Sequence, residues 1–244
     1  MLGPRRSDTL ATVAGPRRLE VSEIFTSIQG EGASAGQPCV FLRLAGCNLR
    51  CRWCDTAYAW DFARYDRSRE VATESIDAVV AKLESSGPSR LVITGGEPLL
   101  QQPAVAAVLE RLGAAWVVEV ETNGTVVSLP VLRARVDQWN VSPKLSNSGE
   151  PEDRRLNLVA LATLRDTRRA WLKLVVEDTA DLSEVSQLIR ATAWPKHRVL
   201  LMPQAATRAE LRRQTPLLVA ASAGLGYGLS PRLQVERWDG ARGR

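Results

Sequence analysis

From Leu19 onward, short apolar runs alternate with longer amphipathic stretches, and this rhythm constrains the fold more than any other feature. It predicts strands at residues 20–25, 40–44, 90–94, 116–121, 138–141, 171–176, 198–202 and 232–235. Helical periodicity falls between most of them, at residues 75–84, 104–112, 182–192 and 208–223. In the first helix Ile76, Val79, Val80 and Leu83 recur at helical spacing and share one face. Strand–helix–strand repetition calls for parallel pairing with helices outside. Runs such as Leu91-Val92-Ile93 and Val199-Leu200-Leu201-Met202 suit strands buried on both faces. A doubly wound open sheet and a partial barrel both satisfy this pattern, and both place their chemistry at the carboxyl ends of the strands.

The polar motifs fall where that rule asks. Cys47 follows the strand at 40–44, Gly95-Gly96-Glu97-Pro98 the one at 90–94, and Thr122-Asn123-Gly124 the one at 116–121. Ser142-Pro143-Lys144 follows 138–141, and Met202-Pro203-Gln204 ends 198–202. The polar, Pro/Gly-punctuated segment 146–155 is expected to be a mobile loop. Residues 1–18, rich in Pro, Gly and Arg, are expected to be a disordered tail before a single domain at 19–244.

Three of the four cysteines lie within eight residues, as Cys47-Asn48-Leu49-Arg50-Cys51-Arg52-Trp53-Cys54. A cluster this tight points to metal rather than to disulfides. A structural zinc site wants four closed ligands. The candidates for a fourth are Cys39, which opens an apolar strand and reads as a core thiol, and the lone His197, which reads as structural. Three thiolates instead leave one iron of a cuboidal four-iron cluster open to a small molecule.

This spacing, with Trp53 before the last cysteine, resembles the signature of the radical S-adenosylmethionine (SAM) enzymes. The resemblance implies a partial (β/α) barrel, an α/β fold of mainly parallel strands with outer helices. It implies a [4Fe-4S] cluster on Cys47, Cys51 and Cys54, with SAM chelating the open iron. One electron then cleaves SAM to methionine and a 5′-deoxyadenosyl radical that takes a substrate hydrogen. Thr94-Gly95-Gly96-Glu97-Pro98 resembles the segment of that family which receives the SAM ammonium. It also reads as an ordinary β–α turn with Pro98 opening a helix. The implied SAM contacts are Trp53, Cys54, Asp55, Gly96, Glu97, Glu121, Ser142, Pro143 and Lys144.

Two upstream segments narrow the resemblance. Phe25-Thr26-Ser27-Ile28-Gln29-Gly30-Glu31-Gly32 and Phe41-Leu42-Arg43-Leu44-Ala45-Gly46, with Cys54-Asp55-Thr56, resemble the 7-carboxy-7-deazaguanine synthases. That family's activity is a carbon–nitrogen lyase reaction. 6-Carboxy-5,6,7,8-tetrahydropterin loses a hydrogen at C6, its ring contracts, and ammonia leaves, giving the 7-deazapurine precursor of queuosine. The implied substrate contacts are Ile28, Gln29, Gly30, Arg43 and Thr94, and the implied Mg²⁺ ligand is Thr56. A guanidinium fork suits a carboxylate, which favours Arg43 for that role over a structural ion pair. The family's Gln-Pro pair after a late strand is here Met202-Pro203-Gln204, so no SAM contact is assigned there.

A flavodoxin or ferredoxin as reductant and a homodimer follow from the same resemblance. The net charge of +5 is spread among acids, without a basic run interleaved with aromatics, so no nucleic-acid partner is expected. Apolar runs are too short for a membrane span and no secretory pattern is seen, so a cytoplasmic location is expected. Two alternatives stay open on the residues alone: another small radical SAM enzyme such as a glycyl-radical activase, or a non-catalytic metal or electron-transfer module.

Overall fold

A computed structural model describes residues 18–243 of the chain. Of the expected tail at 1–18, residues 1–17 lie outside them, and Arg18 is the first residue of a strand. In chain order the elements are β1 (Arg18–Ile28), β2 (Pro38–Leu44), α1 (Arg67–Glu70), β3 (Ala72–Ser75), α2 (Ile76–Glu84), β4 (Arg90–Gly95), α3 (Gln102–Leu112), β5 (Val117–Thr122), α4 (Pro130–Arg135) and β6 (Gln138–Val141). Then come α5 (Glu152–Arg155), α6 (Leu158–Arg165), β7 (Ala170–Val176), α7 (Asp181–Thr192), β8 (Val199–Pro203), α8 (Arg208–Leu225), β9 (Gly228–Leu229) and α9 (Leu233–Trp238).

The strands form one sheet in the order β3-β1-β2-β4-β5-β6-β7-β8-β9. From β2 to β9 neighbouring strands pair parallel, while β1 runs antiparallel to both β2 and β3. From β4 onward each strand lies beside its predecessor. A doubly wound sheet reverses direction at a switch point. This one does not, so the architecture is the partial (β/α) barrel. Register carries the argument to the site. Arg43 lies level with Thr94, Leu44 with Gly95, and Thr122 with Val141. The strands therefore release their next residues at one rim.

Local chemistry explains the helices. Ser75 caps α2 by accepting from the Ala78 N–H, and Ile76, Val79 and Leu83 turn inward. Thr207 and Glu210 form a capping box on α8, which ends at Gly226 in the left-handed conformation. Leu91, Val92, Ile93, Val199 and Leu201 are all fully buried, as strands covered on both faces require. Cys39 is fully buried against Phe41 and Val92, a core thiol as expected.

Two expectations need correction. Residues 232–235 open α9 rather than forming a strand. The alternation Leu233-Gln234-Val235-Glu236 is too short to choose between periods, and only Val235 is buried. The sheet edge is instead closed by the two-residue β9 beside β8. The segment 146–155 is not a mobile loop. Asn147, Ser148, Glu150 and Arg155 are buried, and the segment packs against the cysteine loop. Its polarity serves hydrogen bonds inside the protein.

Candidate active site

A cavity of about 480 Å³ opens at the carboxyl ends of β2, β4, β5, β6 and β7. Cys47, Cys51 and Cys54 all line it. The loop that carries them is held from two sides. On one side Glu150 accepts from the Arg50 N–H, and Arg52 N donates to the Ser148 carbonyl at 2.9 Å. On the other, Gly96 N donates to the Leu44 carbonyl at 3.1 Å and Glu97 N to the Gly46 carbonyl at 2.9 Å.

That second seam explains the glycine pair. Gly95 has φ of +141°, and a Cβ there would meet the Leu44 carbonyl oxygen at 2.1 Å. A Cβ on Gly96 would meet the Gly46 carbonyl oxygen at 2.1 Å and the Cys47 Cβ at 2.8 Å. The glycines thus let the end of β4 lie directly against the cysteine loop.

Glu97 does not line the cavity and is fully buried. Its carboxylate accepts from Thr122 Oγ1 at 2.8 Å, from Asn123 N at 2.7 Å and from Leu99 N at 3.0 Å. Asn123 in turn donates to Asn48 Oδ1 at 2.9 Å, inside the cysteine motif. The Glu97 side chain, expected on a ligand, ties the ends of β4 and β5 together beside the cysteine loop. Pro143 is buried and also lies outside the cavity lining, which leaves it to stiffen the turn after β6.

The other expected residues converge on the cavity. Ile28, Gly30, Arg43, Trp53, Asp55, Thr56, Thr94, Gly96, Glu121, Ser142 and Lys144 line it. Lys144 Nζ donates to Ser142 Oγ at 3.2 Å and lies 5.6 Å from the Trp53 ring centroid. Thr56 Oγ1 is 3.6 Å from Cys54 Sγ. Thr94 Oγ1 donates to Glu121 at 2.8 Å. Gln29 also lines the cavity but is nearly buried, and its amide donates to Glu119 at 2.8 Å and to Glu121 at 3.2 Å. Arg43 combines the two readings of its side chain. Its Nε donates to Glu23 at 2.8 Å, an ion pair, and that anchor leaves its two terminal nitrogens for the cavity.

Several functional candidates were missed. Lys173, in the middle of buried β7, pairs with Glu31. Arg232 reaches Glu31 at 3.1 Å and Asp55 at 2.6 Å, and Gln234 donates to Glu31 at 2.6 Å. This network joins the glycine-rich loop, the cysteine loop, β7 and α9. A lone lysine within Trp171-Leu172-Lys173-Leu174-Val175 was a legible signal, because a charge in a buried run needs a partner. Beyond α9, Arg242 pairs with Glu23 and Glu70 and stacks 3.7 Å from the Tyr58 ring centroid, at the cavity wall.

Burial alone would raise the Glu31 carboxyl, but Lys173 and Arg232 outweigh it and hold it at about 2, against an ordinary 4.5. The unfolded chain therefore takes up this proton first as pH falls. The network's contribution is fully present above about pH 4.5 and is lost between there and about pH 2. A Glu31→Gln chain is expected to be less stable at neutral pH and to show a flatter fall in stability across that window. Denaturant titrations at stepped pH check this.

Three thiols around one cavity fit an iron–sulfur cluster. Among the described residues no three His, Cys, Asp or Glu side chains converge as one shared ion would need. A cuboidal cluster makes a different demand, one thiolate for each of three irons. Burial pushes the Cys47 thiol up to about 12 and the Cys51 thiol upward as well, and a coordinating cation would favour the thiolate against that burial. His197 is exposed on the turn before β8 and is not among the cavity-lining residues.

The fold and the three-thiol rim define the class. A family model described as the Radical SAM superfamily matches residues 42–173. The chain is 39% identical over 231 residues to 7-carboxy-7-deazaguanine synthase from Pyrobaculum aerophilum, covering 93% of this chain and 98% of that one. It is 36% identical over 247 residues to the synthase of the same name from Halobacterium salinarum, covering 91% of each chain. The crystal structure of QueE from Escherichia coli superposes with a TM-score of 0.65 at 24% identity, over 87% of this chain and 93% of that one. The chain belongs to the 7-carboxy-7-deazaguanine synthase family within the radical SAM superfamily.

Proposed function

We propose that this chain converts 6-carboxy-5,6,7,8-tetrahydropterin to 7-carboxy-7-deazaguanine with loss of ammonia, a step toward queuosine. The observation that carries the reading is the meeting, in one cavity, of three cluster thiols and an anchored arginine fork. Relatives named as this synthase over nearly the whole chain support it and disfavour a glycyl-radical activase or a non-catalytic module. When bound, a [4Fe-4S] cluster and SAM supply the radical that takes the C6 hydrogen.

The chain's own residues then have these roles. Cys47, Cys51 and Cys54 hold the cluster. Lys144, steadied by Ser142 and Trp53, meets the SAM carboxylate. The Arg43 fork meets the substrate carboxylate, with its Nε fixed by Glu23. Gln29 and Thr94 aim Glu121, and with it the polar wall, at the pterin. Thr56 offers a hard hydroxyl oxygen to Mg²⁺ beside the substrate carboxylate. A flavodoxin or ferredoxin as electron donor, a homodimeric assembly and a cytoplasmic location complete the proposal. Among the described residues no helix is long and apolar enough to cross a membrane.

Substrate carrying deuterium at C6 tests the reading: label is expected in the 5′-deoxyadenosyl group, and its absence during turnover would sink the C6 assignment. Arg43→Lys keeps the charge and loses the planar fork. Its kcat/KM is expected to fall roughly a hundredfold, as the loss of about 3 kcal/mol of charge-assisted hydrogen bonding implies. Steady-state kinetics against carboxypterin concentration check this.

A further inference from the structure

The indole N–H of Trp60 points at a cluster ligand. Trp60 follows the tight turn Ala57–Ala59, and its backbone N–H closes on the Ala57 carbonyl at 3.1 Å. The half-buried ring lines the cavity. Its Nε1 donates to Cys54 Sγ at 3.2 Å. The Thr56 hydroxyl lies 3.6 Å from the same sulfur. The guanidinium of exposed Arg50 lies 5.6 Å from the Trp60 ring centroid, and among the described residues no carboxylate pairs with it. The second tryptophan of this region behaves differently. Trp53 Nε1 donates to the Asn147 carbonyl at 3.1 Å and approaches Asn147 Oδ1 at 3.3 Å, so its N–H is turned away from sulfur.

We propose that Trp60 is a positioning residue that sets the reduction potential of the cluster through its hydrogen bond to Cys54. The inference rests on the cluster assignment made above. One-electron reduction by an external carrier protein adds negative charge, and part of that charge resides on the thiolate sulfurs. An N–H aimed at one sulfur stabilises the electron-rich state more than the oxidised state and raises the potential. The Arg50 cation over the ring face adds a field of the same sign. The consequence is a cluster that a biological one-electron donor reduces more readily.

The test is a redox titration of the anaerobically reconstituted full chain without SAM, followed by electron paramagnetic resonance. Trp60→Phe keeps an aromatic ring and removes the donor. At the midpoint potential of the unsubstituted chain, its ratio of reduced to oxidised cluster is expected to fall roughly fivefold, the scale of one modest hydrogen bond. A tenfold fall corresponds to 59 mV for a one-electron couple. Should Phe disturb the turn, β-(3-benzothienyl)alanine in place of Trp60 preserves the shape and replaces only N–H by sulfur. It is expected to lower the potential in the same direction with iron and sulfide content unchanged. An unchanged potential in a fully loaded benzothienyl variant overturns the role of Trp60 and leaves the cluster assignment standing. A chain that takes up no four-iron cluster at all overturns both.

Discussion

Alanine at Cys47, Cys51 or Cys54 is expected to abolish cluster assembly and 7-deazapurine formation together, while alanine at Cys39 preserves both. The four residues are chemically identical, and their surroundings separate them. The first three are half-buried and line the cavity, so truncating one removes a ligand and little packing. The apo fold is expected to change by no more than about 1 kcal/mol, the range for sites outside the core. Two thiolates do not retain a cuboidal cluster whose fourth iron is already given to SAM, so activity falls to background rather than by a graded factor. Cys39 is fully buried in the small apolar cluster with Phe41 and Val92. Its loss opens a void that costs about 1–2 kcal/mol of stability and no iron. Iron and sulfide counts after reconstitution, with urea unfolding of each apo chain, check both halves.

Lys173→Met is expected to destabilise the chain by about 3 kcal/mol, near the lower end for breaking a buried ion pair from one side. Lys173 is almost fully buried in β7, and among the described residues its ion pair is with Glu31. Methionine fills much of the same volume, so the cost is electrostatic. Glu31 keeps Arg232 at 3.1 Å and Gln234 at 2.6 Å, which holds the loss below that of a fully orphaned charge. For a domain of this size the midpoint of thermal unfolding is expected to drop by roughly 6–12 °C. The paired change Lys173→Met with Glu31→Gln is expected to recover part of that loss, because the under-compensated buried charge is gone. Differential scanning calorimetry of Lys173→Met, Glu31→Gln and the paired variant checks this. A loss of activity larger than the loss of folded protein is also expected, since Glu31 joins the glycine-rich loop to the cysteine loop through Arg232 and Asp55.

Much of this architecture was legible because its elements obey a single period over enough residues. The strands at 90–94 and 171–176 are continuous apolar runs, and β4 and β7 fall on them within a residue. Motifs placed after strands were legible for the same reason, since a parallel sheet collects its carboxyl ends at one rim. Short elements were not. The edge strands β3 and β9 have four and two residues, too few for any period to show. Residues 232–235 alternate over four positions only, a pattern that predicts a strand, whereas long-range pairing of Arg232 with Glu31 and Asp55 accompanies a helix there.

Buried polar partnerships were the least legible part of the site. Glu97 has the composition of a ligand-binding residue in its motif. Its actual partners, Thr122 and Asn123, lie a helix and a strand away in sequence. Glu119 and Glu121 both alternate with valine in β5. Only the structure shows that Glu119 is sealed by Gln29, Ser34, Asn140 and Arg90, while Glu121 faces the cavity.

The most direct measurement is product analysis after anaerobic reconstitution. The chain is incubated with 6-carboxy-5,6,7,8-tetrahydropterin, SAM, a one-electron reductant and Mg²⁺. The expected result is 7-carboxy-7-deazaguanine and an equal amount of ammonia, with neither formed when SAM or reductant is left out. Cleavage of SAM with the pterin left intact would contradict the assigned substrate.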